Sequence, residues 1–237
     1  MIVVRTVTKY FGEKAALNGI SFSIPRGSIT GLIGRNGAGK TTLMGILCGL
    51  IRPDTGSIQI GGIELFDNMT RAREMIGYVP QKTSLYPEMT GRENLTYFGM
   101  ILGLGGKKLT DSIYEVMIAT SLEEVLDVRV SHYSGGMQKR LNLAIGLLGN
   151  PPILYLDEPT VGVDLESREI ILATLLKMSR ERGTTILYTS HYLQEIEKIC
   201  DRLVILDQGV VVANDVSENL LHEGESLEQY LEENLQK

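Results

Sequence analysis

Positions 34 to 42 read GRNGAGKTT, with the apolar run SITGLI directly before and TTLMGILCGL directly after. This fits G-x-x-x-x-G-K-[ST] in the context that gives the pattern meaning, a strand feeding a loop that opens a helix. Gly34, Gly37 and Gly39 let the backbone N–H groups of the loop, including those of Arg35, Asn36, Ala38 and Thr42, curl around phosphate oxygens, because side chains at the glycines would block close approach. Arg35 and Asn36 serve through their backbone. Lys40 is placed to reach the outer phosphates of a nucleoside triphosphate, and Thr41 to offer its hydroxyl oxygen to Mg²⁺. Such a loop restricts the fold to an α/β class, with a mainly parallel sheet behind it.

The remaining chain reads as alternating strands and helices. Ile20, Phe22 and Ile24 alternate with serines, Pro25-Arg26-Gly27 makes a turn, and SITGLIG continues, which together predict a β-hairpin. Further strands are expected at 56–62, 75–80, 152–157, 184–190 and 202–207, the last turning at Gln208-Gly209 into VVVAN; their apolar runs suit burial on both faces. Between 83 and 149 the pattern is helical. Thr90 and Glu93 form a capping-box signature, GLGGKK a flexible break, and TDSIYEVMIATSLEEVLD a second helical run. Asp164 is a predicted N-cap, and Gly183 the stop, of a helix with Arg180 and Arg182 in its last turn. The expected organisation is one domain, with a core over 1–82 and 150–216, a helical insertion over 83–149 and an acidic helical tail over 217–237.

Two further segments carry chemistry. PPILYLDEPT (151–160) is a buried strand ending in adjacent acids: Asp157 is suited to the Mg²⁺ shell, and Glu158 to accepting a proton from a water in line with the terminal phosphate. YSGGMQKRL (133–141) sets a Ser cap and two glycines at the start of an amphipathic helix, which leaves N–H groups and the positive end of a helix dipole for an anion. Since the loop at 34–42 is already a full phosphate cradle, this second device raises the question of whose phosphate it serves.

Composition narrows the partners. Acidic residues number 29 against 23 basic, a net charge of -6 with a pI near 5.2, which argues against a broad grip on nucleic acid. No basic apolar leader and no run of eighteen apolar residues is seen, so the chain is expected on the cytoplasmic side without a membrane span of its own. Cys48 and Cys200 are far apart in apolar surroundings and read as buried reduced thiols.

The loop GRNGAGKT, the stretch YSGGM, the strand ILYLDEP and the histidine of TSH follow one another in the order and spacing of the ATP-binding subunits of ABC transporters, which this sequence resembles from about residue 2 to about 215. The resemblance implies further roles. Phe11 is the ring that stacks on adenine, with Tyr10 as the alternative. Gln81 senses Mg²⁺ and the attacking water, in a loop that faces a membrane partner. Asp164 belongs to the loop crossing to the neighbouring subunit, and His191 contacts the terminal phosphate. It also implies that two copies, identical or related, pair head to tail, with Ser134, Gly135 and Gly136 closing over ATP held by the other copy, while residues 82–98 border the docking surface for a separate permease.

Tyr133 stands where the family usually has Leu, Met137 where it has Gln, and VGVD departs from the commoner small-residue loop. Together with Lys139-Arg140, these features are most similar to the branch that energises export of drugs, antibiotics, sodium or lipid-like substrates. A non-transport ATPase using ATP-dependent dimerisation as a switch is the alternative.

Overall fold

A computed structural model describes residues 1–220 and 226–235. In chain order its elements are β1 (Ile2–Phe11), β2 (Lys14–Ile24), β3 (Ile29–Gly34), α1 (Lys40–Leu47), β4 (Thr55–Ile60), β5 (Ile63–Glu64), α2 (Met69–Arg73), β6 (Ile76–Val79), α3 (Gly91–Ile101) and α4 (Gly106–Ala119). They continue with α5 (Gly135–Leu147), β7 (Ile153–Asp157), α6 (Leu165–Arg182), β8 (Thr185–Thr189), α7 (Leu193–Ile199), β9 (Arg202–Asp207), β10 (Val210–Val216), α8 (Ser217–Leu220) and α9 (Leu227–Leu235). The chain divides into two compact units: residues 1–75 with 185–237, and residues 76–184. Within the second unit β6 and β7 pair with each other in parallel, and β6 packs with α5.

The first unit holds two sheets. One is antiparallel, in the order β2-β1-β4-β5; in the other, β10-β9-β3-β8, β3 runs parallel to both β8 and β9. This corrects the hairpin expected across Pro25-Arg26-Gly27. The β2 strand pairs with β1, a strand that sequence reading passed over, while β3 enters the other sheet. The alternation of β2 fits one buried face, whereas Ile29, Thr30, Gly31, Leu32 and Ile33 are all buried, and only a strand covered on both sides accepts such a run. The sheets meet where the Asn18 N–H donates to the Gly209 carbonyl (2.8 Å) and the Gly209 N–H to the Ala38 carbonyl (3.0 Å), a tie that reaches the loop after β3.

In the second unit the local signals hold. Thr90 and Glu93 form the reciprocal capping box (3.1 and 2.8 Å), Asp164 caps α6, and Gly183 ends it in the left-handed region (φ 67°). The second helical run differs: α4 starts at Gly106, inside the expected break, and ends at Ala119 rather than near 127. A Gly105 N-cap in extended conformation suffices to start it, and Ser121 at φ 51° turns the chain out of it. Among the described residues the expected acidic helical tail forms two helices, α8 and α9; residues 221–225 lie outside the described residues. Leu227 is fully buried and its N–H donates to Glu197 Oε1 (2.6 Å), which fastens α9 to α7. Cys200 is buried, Cys48 half-buried, and neither is in a disulfide.

Candidate functional site

In the first unit the loop after β3 is tightly specified. Gly39 sits at φ 110°, where an L side chain is strained, and a Cβ there would lie 2.6 Å from the Ala16 carbonyl oxygen. At Gly34 a Cβ would run into the Leu206 carbonyl of β9 and come within 2.9 Å of the Ala38 Cβ. No side-chain hydrogen bond caps α1, and the start of a helix is a place where an anion is favoured. Lys40 folds across the loop, its Nζ donating to the carbonyls of Gly34 (2.6 Å) and Arg35 (3.3 Å). Arg35, Asn36, Gly37 and Thr41 are exposed at the mouth, and Thr42 is half-buried behind them.

His191 comes alongside this loop. Ile33, Gly34, Arg35, Ser190 and His191 line one cavity of about 320 Å³, with Glu228, Leu231 and Glu232 of α9 on its wall. The turn carrying His191 is braced by Glu195, 4% exposed, whose Oε2 accepts from Tyr188 Oη (2.6 Å) and Ser190 Oγ (2.7 Å), while Ser190 Oγ accepts from the Tyr192 N–H (3.0 Å). Glu195 was not singled out from sequence, where it is one of several polar residues of LQEIEKI and carries no local signal of burial.

Phe11 ends β1 with 54% of its surface exposed, and the Lys9 ammonium lies 5.7 Å from its ring centre. Asp54 holds this end of the strand, accepting from the Tyr10 N–H (2.6 Å) and pairing with Lys9 (2.9 Å); those hydrogen bonds, the backbone one first, hold its carboxyl below the usual range. Phe11 therefore presents an open ring face suited to stacking. Tyr10, the alternative, is 47% exposed.

In the second unit the acid pair ends β7. Asp157 is half-buried at the strand tip, and Glu158, 9% exposed, has φ 49°. A non-glycine residue in the left-handed region costs about 1 kcal/mol or more, and such strain collects where a side chain must be aimed. Gln81 Nε2 donates to Glu158 Oε2 at 2.7 Å, which leaves its Oε1 as the atom open to a cation. The backbone before and at Gln81 is held from α5: Asn142 Nδ2 donates to the Pro80 carbonyl (2.9 Å), and the Lys139 ammonium to the Gln81 carbonyl. Burial pulls the Lys139 ammonium below the usual lysine range, against the opposing pull of Glu158 and Asp157. Sequence reading used Lys139 only as a mark of subtype and missed Asn142, although a polar residue between Leu141 and Leu143 was a signal of a buried hydrogen bond.

The same helix begins with the second anion device. Ser134 Oγ accepts from the Met137 N–H (3.2 Å), and Met137 Sδ accepts from the Ser134 N–H (3.3 Å), so Met137 closes the cap as a weak acceptor. Ser134 and Gly135 are exposed, while Gly136 is buried against Asp164 and Ser167. Asp164 caps α6 through the Ser167 N–H (2.8 Å) and accepts from Ser167 Oγ (3.1 Å); these bonds, the backbone one first, lower its carboxyl below the usual range. The structure thus joins the phosphate loop to His191 in one unit, and Gln81 to Glu158, and Gly136 to Asp164, in the other. Phe11 is not among the residues that line the cavity beside the loop.

A glycine-rich phosphate loop opening a helix from a parallel strand, and a strand-tip acid pair with a glutamine on its second member, define the class: a nucleoside-triphosphate hydrolase of α/β fold. Residues 17–161 match the ABC transporter family. The chain is 40% identical over 213 residues to the linearmycin resistance ATP-binding protein LnrL of Bacillus subtilis, across 90% of this chain and 68% of that protein. It is 39% identical over 217 residues to the Nod factor export ATP-binding protein I of Burkholderia lata, across 92% and 71% respectively. A dimeric ATP-binding cassette in a post-hydrolysis state with ADP and Pi superimposes with a TM-score of 0.81 at 28% identity, over 91% of this chain and 98% of that one. The chain belongs to the ABC transporter family, as an ATP-binding, ATP-hydrolysing subunit. No described helix is long and apolar enough to cross a membrane.

Proposed function

We propose that this chain powers export through a separate membrane-spanning permease, from the cytoplasmic face, by hydrolysing MgATP held between two head-to-tail copies. The export reading draws on the names of the two relatives, one a resistance protein and the other an export protein.

The observation that carries the shared site is the start of α5. Ser134 and Gly135 are exposed, and a Cβ on Gly135 would approach within 4 Å of only the Gly162 carbonyl, at 3.9 Å. The cap takes up the Ser134 and Met137 N–H groups, which leaves the exposed start of the helix at Gly135 for an anion, while residues 34–42 supply a phosphate cradle of their own. An outward anion site on a chain that already has one is suited to a phosphate carried by another molecule.

Within that arrangement Gly34–Thr42 grip the triphosphate, Lys40 neutralises its outer charge, and Phe11 packs against the base. His191 and the partner's signature turn complete the ring of donors around the terminal phosphate. The donor set of Thr41 hydroxyl, Asp157 carboxylate and Gln81 amide oxygen is hard and neutral or anionic, as Mg²⁺ requires. Bound there, Mg²⁺ would neutralise charge on the phosphate oxygens. Glu158 takes a proton from water as the water oxygen bonds to the terminal phosphorus and the bond to the ADP oxygen breaks. The product charges then repel, and the link between copies is lost.

Glu158→Gln should keep ATP binding, abolish turnover and accumulate an ATP-dependent dimer on size exclusion. Adding Ser134→Arg should remove that dimer without weakening ATP binding to the monomer. Normal turnover in Glu158→Gln would remove Glu158 from the proton-accepting role. Equal loss of monomer affinity in Ser134→Arg would show that the α5 turn serves its own chain's nucleotide.

A further inference from the structure

The helix whose first turn offers Ser134 and Gly135 outward also grips the loop that carries Gln81. Lys139 and Asn142 are three residues apart on α5 and so share a face. Asn142, 4% exposed, donates to the Pro80 carbonyl at 2.9 Å, and the Lys139 ammonium donates to the next carbonyl, that of Gln81. From this clamped backbone the Gln81 side chain reaches Glu158 Oε2 at 2.7 Å.

The Lys139 contact costs free energy that a simple strut would not need. A half-buried ammonium loses hydration, and a neutral donor would hold a carbonyl at less expense. What the cation adds is charge beside Asp157 and Glu158, on the one helix that also begins with the outward anion site. Unclamped, Gln81 is an exposed glutamine in a loop, free to sample many rotamers, and fixing it costs entropy each time it meets Glu158.

We propose that Lys139, supported by Asn142, is a positioning residue for ATP hydrolysis: it ties Gln81, and through Gln81 the Glu158 carboxylate, to the helix that closes on the partner's phosphate. A displacement of α5 when Ser134 and Gly135 engage phosphate is then passed to the backbone of Gln81 through two hydrogen bonds. The proton acceptor is aimed when the second copy is in place, and hydrolysis outside the dimer is disfavoured. This rests on the reading of Glu158 as the proton acceptor.

The test uses the full chain carrying Lys139→Met, which keeps the aliphatic stem and removes the donor, with Lys139→Arg as the conservative variant. In Lys139→Met the kcat for ATP should fall about tenfold, within the roughly 100-fold that a 1 Å misplacement can cost. The KM, the affinity for a fluorescent ATP analogue, and the ATP-dependent dimer formed in the Glu158→Gln background should stay within about twofold, because the phosphate loop and the α5 turn are untouched. Lys139→Arg should recover most of the lost rate. Without nucleotide, amide hydrogen exchange at residues 81 and 82 should quicken in Lys139→Met. In a Gln81→Ala background, adding Lys139→Met should change kcat by less than about twofold, since the residue acts through Gln81.

Unchanged kcat in Lys139→Met, a multiplicative loss in the Gln81→Ala background, or unchanged exchange at 81 and 82 would each overturn the proposal. Should Lys139→Met fail to fold, Lys139→Leu, which also lacks a donor, carries the same comparisons. Glu158→Gln run alongside separates the two readings. If it turns over normally, the proton-acceptor role and this proposal fall together; if it is inactive while Lys139→Met is normal, only the proposal falls.

Discussion

The two glycines of the α5 turn should fail for opposite reasons when each is replaced by alanine. A Cβ on Gly136 would overlap Ser167 Oγ and Asp164 Oδ2 and come within 2.8 Å of the Ser167 Cβ, so both side chains must move. They are the N-cap of α6, joined at 2.8 and 3.1 Å, and losing such a cap costs about 1 kcal/mol. Forcing an extra carbon into a packed site adds about 1–3 kcal/mol, offset by about 0.5–1 kcal/mol for replacing a helical glycine with alanine. The net loss is about 1–3 kcal/mol, a fall in Tm of roughly 3–10 °C for a chain of this size.

Gly135 has room for a Cβ within its own chain, the nearest atom being 3.9 Å away. Gly135→Ala should therefore leave Tm unchanged or raise it by about 2 °C. Its cost should appear only when the second copy arrives: in the Glu158→Gln background, ATP-driven dimerisation should weaken by about tenfold or more, equivalent to about 1.4 kcal/mol. Thermal melts and concentration-dependent size exclusion on both variants give the comparison. A low Tm in Gly135→Ala, or full dimerisation in it, would refute the claim that this glycine is kept for a neighbouring molecule's phosphate.

Two further outcomes follow from side chains near the expected sites. Tyr133 is buried and its hydroxyl donates to the Val125 carbonyl (2.6 Å); burial pushes its phenol up to about 12 from an ordinary 10. The folded value lies above the unfolded one, so this contribution to stability is complete below pH 10 and is lost as pH rises from 10 to 12. The stability difference between wild type and Tyr133→Phe in denaturant unfolding, about 1 kcal/mol near neutrality from the lost hydrogen bond, should shrink over that range. A constant gap would exclude the phenol as its cause. Gly39→Ala places a side chain at φ 110° and 2.6 Å from the Ala16 carbonyl, so affinity for a fluorescent ATP analogue should fall about tenfold or more, and unchanged binding would show that the loop relaxes freely.

Near-neighbour physics was legible without coordinates. The loop at 34–42, the Thr90-Glu93 box, the Asp164 and Ser134 caps and the Gly183 stop each depend on residues a turn apart, and each appears where the sequence places it. The roles of Gln81 and His191 came from resemblance, since an amide in a loop and a histidine after a strand carry no local pattern of their own. Tertiary packing decided that β2 and β3 part into different sheets, that Glu195 braces the His191 turn, and that Gly136 makes room for the cap of α6. It also decided that Lys139 and Asn142 reach Gln81 and Pro80. The bonds that assemble this part of the site span 58, 62 and 77 residues of chain. Periodicity and capping fix local conformation, whereas partners so far apart meet only when the buried faces of separate elements have chosen one another.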